Sequence, residues 1–99
     1  MVVVLKSAEF DAWLRKLKDS RAKACVLVRI SRLSHGNPGD TKSVGEGVLE
    51  MRIDYGPGYR VYFKRRGEEI ALLLCGGDKK SQPADIARAK EIANQWSGK

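Results

Sequence analysis

The stretch from Val48 to Lys64 constrains the fold more than any other part of the chain, because apolar and polar residues alternate on both sides of Tyr55-Gly56-Pro57-Gly58. Leu49, Met51 and Ile53 fall on one side of the first segment and Glu50, Arg52 and Asp54 on the other, the period of a half-buried strand. After the break, Val61 and Phe63 point inward, and Arg60, Tyr62 and Lys64 outward. Two such runs joined by a glycine-containing turn form an antiparallel hairpin. Cross-strand partners must share a face, so a three-residue connection pairs Asp54 with Gly58, Arg52 with Arg60, and Glu50 with Tyr62. Two arginines then stand opposite one another, which like charges disfavour. Either a phosphate-bearing ligand lies over them, or Glu50 and Asp54 neutralise them; pattern alone leaves both open.

The remaining elements arrange themselves around this hairpin. Val2 to Leu5 suits a strand, and Ser7 offers an N-cap for a helix carrying Phe10, Trp13, Leu14 and Leu17 on one stripe. A second helix starts at Asp19 or Ser20, turns Ala22, Val26, Ile30 and Leu33 toward the core and stops at Gly36. The pair forms a helical hairpin, with Arg15, Lys16, Lys18, Arg21, Lys23, Arg29 and Arg32 on its solvated faces. Asn37 to Asp40 is a turn-rich connection. Ile70 to Cys75 is apolar throughout, as in a central strand covered on both faces. Gly76 to Gln82 leaves that strand as a polar loop, and Pro83 opens a last helix whose stripe is Ile86, Ala89, Ala93 and Trp96. The order β-α-α-β-β-β-α predicts an α+β domain, a small mostly antiparallel sheet packed against helices.

With 99 residues and 42% hydrophobic content, the chain has one modest core and no length for a second; residues 1–99 are a single domain. The net charge of +7 favours anionic partners: nucleic acid, an acidic protein or an anionic surface. Its longest apolar run is too short to span a bilayer, and Met1 to Leu5 lacks the features of a signal peptide, which predicts a cytoplasmic protein without a membrane partner. Cys25 and Cys75 sit in apolar surroundings and read as reduced core residues. One histidine and two distant cysteines supply no zinc set, so neither a metal nor a cofactor is expected.

Chemistry-bearing residues are correspondingly few. His35 lies in the last turn of the second helix, where an imidazole caps the negative end of the dipole, and serine-histidine-aspartate or metal-assisted hydrolysis has no residues to run on. The loop of Lys79, Lys80, Ser81 and Gln82 is the second candidate site, since backbone amides at a helix start favour anions. Basic side chains, tyrosines and positioned amides suit phosphate chemistry on RNA, in which the substrate's own 2′-hydroxyl is the nucleophile.

Three segments carry a resemblance: Gly47-Val48-Leu49-Glu50-Met51-Arg52-Ile53, then Gly56-Pro57-Gly58-Tyr59-Arg60-Val61-Tyr62-Phe63, then Leu72-Leu73-Leu74 through Gly76-Gly77-Asp78-Lys79-Lys80-Ser81-Gln82 and Asp85-Ile86, with Glu9-Phe10-Asp11-Ala12-Trp13-Leu14 near the start. The chain resembles the addiction-module killer protein family, a HigB-like and phage Gp49-related branch of the RelE/ParE toxin superfamily. The resemblance implies a RelE-like fold and a toxin of a type II toxin-antitoxin system. Its resting partner would be a helix-turn-helix antitoxin encoded by an adjacent gene. RelE-type members act as endoribonucleases that cut mRNA on the ribosome without metal, leaving a 2′,3′-cyclic phosphate and a 5′-hydroxyl, and so block translation.

Carried over by position, Arg60 matches the arginine of a Tyr-Arg-Val motif and would stabilise charge on the pentacoordinate phosphate. Arg52 matches a basic residue on the preceding strand and would hold a phosphate. Lys79 and Lys80 match a basic loop and would neutralise or protonate the leaving 5′-oxygen. Tyr62, Lys64, Ser81 and Gln82 would contact the RNA. Many RelE-type nucleases carry a tyrosine or histidine in their C-terminal segment, and Ala84 to Lys99 offers neither, so the acid and base stay unassigned. The alternative is a ParE-like protein that inhibits DNA gyrase without catalysis, which has no particular need of a cationic hairpin face.

Overall fold

The computed structural model describes residues 1–97. Its elements are β1 (Val3–Lys6), α1 (Ala8–Lys16), α2 (Ser20–Ser34), β2 (Thr41–Gly45), β3 (Val48–Ile53), β4 (Tyr59–Arg66), β5 (Ile70–Gly77) and α3 (Gln82–Ser97). The five strands form one sheet in the order β1-β5-β4-β3-β2. Only the β1 and β5 pair is parallel; the other three pairings are antiparallel. An α+β fold with a mostly antiparallel sheet is what the pattern predicts, with one strand more than expected. The extra strand, β2, is polar and lies at an edge, where a single apolar residue, Val44, packs inward.

Both helices of the first half start where their caps dictate. Ser7 Oγ accepts from Phe10 N at 2.9 Å and also donates to Leu74 O at 2.5 Å, so one hydroxyl caps α1 and ties it to β5. Asp19 caps α2 by accepting from Arg21 N and Ala22 N. At the far end His35 is the C-cap, as expected, with Nδ1 2.8 Å from Ser31 O, and Gly36 follows at φ 87°.

The sheet is covered on both faces. Against one face α1 and α2 pack Phe10, Val26, Ile30 and Leu33 onto Met51, Ile53, Val61, Phe63, Ala71 and Leu73. On the other, Ala89 and Ala93 of α3, flanked by Ile86 and Trp96, cover Val48, Tyr62, Leu72, Leu74 and Cys75. The half-buried reading of the hairpin is therefore corrected: Glu50 and Tyr62, assigned to the outer side, are wholly buried beneath α3. Arg29, assigned to a solvated face, donates from Nη1 to Arg52 O at 2.5 Å and from Nη2 to Pro38 O at 3.0 Å, holding the loop before β2 against β3.

Cys25 and Cys75 are free thiols, the first half-buried and the second buried. Burial, with the Asp85 carboxylate nearby, pushes the Cys75 thiol up to about 12. A thiol reagent at pH 8 is therefore expected to label Cys25 in the folded protein and to reach Cys75 only on unfolding; equal labelling rates would show that α3 does not seal its face.

Candidate functional site

The expected register holds. Arg52 pairs directly with Arg60, and Glu50 with Tyr62, across β3 and β4. The turn between the strands is fixed by Gly58 N donating to Tyr55 O at 3.1 Å, with Gly56 and Gly58 both at positive φ. Tyr55 tethers this turn to α2, its hydroxyl donating to Asp19 Oδ2 at 3.1 Å. The backbone bond from Ala22, helped by the bond from Tyr55, holds the Asp19 carboxyl below its usual range.

Arg60 also pairs with Gly77, the last residue of β5. The expected loop is thus shorter than Gly76 to Gln82, because both glycines belong to the strand and Gln82 to the helix. Each glycine makes room for a specific neighbour. A Cβ on Gly76 would sit 2.6 Å from Trp13 Cζ3, and one on Gly77 would collide with the Asp85 carboxylate. The turn at 78–81 is organised by Asp78, whose Oδ1 accepts from Lys80 N at 2.9 Å and Ser81 N at 3.2 Å.

These constraints enclose an open concavity of about 500 Å³ lined by Asp40, Arg52, Ile53, Asp54, Gly56, Pro57, Gly58, Tyr59, Arg60 and Lys79. It brings together three of the expected cationic residues, Arg52, Arg60 and Lys79, against the carboxylates of Asp40 and Asp54. Arg52 is held by Asp40 at 2.9 Å, with both side chains exposed, rather than by Asp54, the neighbour that the alternative reading offered as a neutraliser. Arg60 is only 12% exposed and donates from Nη1 to Gly58 O at 2.7 Å.

Behind the concavity lies a buried polar cluster. Tyr62 Oη donates to Glu50 Oε2 at 3.1 Å, Gln82 Nε2 donates to the same oxygen at 2.7 Å, and Arg60 Nε stands 3.7 Å from it. Burial, with the adjacent Glu50 charge, raises the Tyr62 phenol well above its ordinary value.

The other expected residues lie elsewhere. Lys80 is exposed on the loop, and Ser81 turns its hydroxyl to the Asp85 carboxylate; neither lines the concavity. Lys64 lies over Gly47 at the opposite end of the hairpin. Tyr62 and Gln82, expected to touch RNA, are committed to Glu50. With its ring at 0% exposure, Tyr62 has no face to stack on a base.

One residue of the site escaped the sequence reading, as did the burial of a second. Tyr59 is the aromatic side chain that lines the concavity, and its ring meets the edge of Trp13 at 6.3 Å between centroids. Its place beside Arg60 in the Tyr-Arg-Val motif was the available signal. Glu50, read as a solvent-facing residue able to neutralise the arginines, does stand beside Arg60, and what its alternation with apolar neighbours hid is its complete burial. Among the described residues no group of three or more His, Cys, Asp and Glu side chains comes together to hold a metal, and no helix is long and apolar enough to cross a membrane.

Comparison with known proteins places these residues in a lineage. The family model described as phage derived protein Gp49-like (DUF891) matches residues 12–96. An uncharacterized protein of Haemophilus influenzae is 51% identical over 96 residues, which span 96% of this chain and 97% of the relative. No solved structure gives a significant match.

Proposed function

This chain belongs to the phage-derived Gp49-like family, and from that premise we propose that it is the toxin of a type II toxin-antitoxin pair, cutting mRNA on the ribosome. The family is associated with toxins of toxin-antitoxin systems. The observation that carries the finer reading is the direct opposition of Arg52 and Arg60 at the mouth of a concavity that also holds Lys79 and Tyr59. Two guanidiniums on directly paired residues, each with donors beyond those used by Asp40 and Gly58, suit a phosphate group.

In this reading a 2′-hydroxyl attacks the adjacent phosphorus, the bond from phosphorus to the 5′-oxygen breaks, and the products are a 2′,3′-cyclic phosphate and a 5′-hydroxyl. Arg60 stabilises the charge gathering on the pentacoordinate phosphate, and Arg52 holds the same phosphate or its neighbour. Lys79 stands beside Gly58, with its Cβ 3.8 Å from where a Cβ on that glycine would lie; it neutralises or protonates the leaving 5′-oxygen. Tyr59, rather than Tyr62, offers a ring to a base. The resting state is a complex with an antitoxin encoded by an adjacent gene, and the acting state is bound to ribosome and mRNA.

Inducible expression without antitoxin tests this, with new mRNA 5′ ends mapped on translated and untranslated copies of one reporter. The expected result is growth arrest with cuts confined to the translated copy. Arrest without cuts, accompanied by DNA-damage signalling, would replace the nuclease with a gyrase inhibitor.

A further inference from the structure

We propose that Glu50, which has no contact with solvent, is the positioning residue of this site: its carboxylate fixes the guanidinium of Arg60 from behind and so sets where the phosphate binds. The proposal rests on the nuclease reading for its catalytic consequence, while the positioning itself is measurable without it.

Three groups from two elements converge on one oxygen of Glu50. Tyr62 Oη and Arg60 Nε reach Oε2 from β4, and Gln82 Nε2 reaches it from the first turn of α3. Oε1 is equally buried and has no hydrogen-bond partner among the described residues, and neither does Arg60 Nε. A carboxylate in this setting is a poor way to fill space. Burying the charge is costly, and an apolar side chain of similar volume packs between a sheet and a helix at least as well. What an apolar residue would not do is hold a guanidinium.

Arg60 is gripped at two points, Nη1 by Gly58 O and Nε by the Glu50 charge, and the rest of its five donors are left for a ligand. The same carboxylate joins β4 to the start of α3. Glu50 therefore ties the arginine to the end of the fold that carries Lys79, so that the two cations keep a fixed separation. Positioning of this kind matters because a displacement of about 1 Å at a reacting centre costs on the order of 100-fold in rate.

The test uses Glu50→Gln, which keeps an acceptor for Tyr62 and Gln82 but loses the charge, and Glu50→Met, which fills the volume with no polar group. Two readouts are taken on the full chain: the Nε–Hε resonance of Arg60 by NMR, and single-turnover cleavage of translated mRNA on ribosomes. In the original protein the Arg60 signal is expected to be distinct and slow to exchange. Both variants should fold, average that signal toward that of a free arginine, and lower the cleavage rate by roughly 10- to 100-fold. Ribosome affinity should be equal or tighter, because a negative charge has left a cationic site. An Arg60 signal unchanged in both folded variants would overturn the proposal, as would an averaged signal with an unchanged cleavage rate. Absence of cleavage by the original protein would sink the nuclease reading separately, with the NMR result still deciding whether Glu50 holds Arg60.

Discussion

Arg60→Ala is expected to reduce mRNA cleavage by about 100- to 1000-fold, the range for removing a donor that stabilises transition-state charge, and to lower stability as well. The second effect follows from burial and was not anticipated from the sequence, where an outward arginine implies a harmless truncation. Arg60 is only 12% exposed, and its partner Glu50 is fully buried. Removing the cation leaves that carboxylate with hydrogen bonds from Tyr62 and Gln82 but no counter-charge. Stranding one member of a buried pair costs up to about 3–5 kcal/mol, and the two surviving bonds place this case toward the low end. Loss of toxicity in the single variant would thus confound chemistry with unfolding. The double variant Arg60→Ala with Glu50→Gln separates them: it should regain most of the thermal stability and none of the cleavage. If the double variant regains toxicity, Arg60 was structural and the catalytic assignment fails.

That coupling between fold and site explains which features could be read in advance. The register of β3 and β4 was legible because Tyr55-Gly56-Pro57-Gly58 and the alternation of Leu49, Met51, Ile53, Val61 and Phe63 leave a single parity. The capping residues Ser7, Asp19 and His35 were legible because caps are local chemistry. What stayed hidden depends on what covers the second face of the sheet. The stripe of α3 itself, Ile86, Ala89, Ala93 and Trp96, was legible, but nothing in its pattern says that it lies over the hairpin strands as well as over β5. Without that cover, Glu50 and Tyr62 look like solvent-facing residues of an alternating strand. The edge strand β2 was missed for a related reason: Thr41-Lys42-Ser43-Val44-Gly45 carries one apolar side chain, and its pairing with β3 is set by backbone bonds rather than by pattern. Lys79 and Lys80 could not be told apart until the turn at Asp78 showed one facing the concavity and the other lying outside it.

A single methyl group at Gly76 is expected to reach the site from the far side of the sheet. Gly76 is in β5 with an ordinary backbone angle, so its substitution carries no conformational strain; the obstacle is the indole of Trp13, whose Cδ2 would lie 2.5 Å from an added Cβ. An aromatic ring cannot yield by rotating a flexible tip. It must translate, and Trp13 is flanked by Phe10 at 5.8 Å and Tyr59 at 6.3 Å between ring centroids. Phe10 is fully buried in the α1 and α2 core and cannot give way, so the half-buried indole shifts outward over α1 or against Tyr59, and in either direction its edge contact with Tyr59 changes. Gly76→Ala should cost roughly 1–3 kcal/mol, the usual range for overpacking, and lower the melting temperature by roughly 4–8 °C for each of those kcal/mol in a domain of this size. Cleavage measured well below that melting point should fall too, although no residue of the proposed chemistry has been altered. The matched control is Trp13→Leu in the same background, in which the smaller side chain accommodates the methyl: the stability losses of the two single variants should then sum to more than the loss of the pair. Strict additivity, or an unchanged melting temperature for Gly76→Ala, would mean that Trp13 is not seated against β5 and that the aromatic chain from α1 to Tyr59 does not support the site.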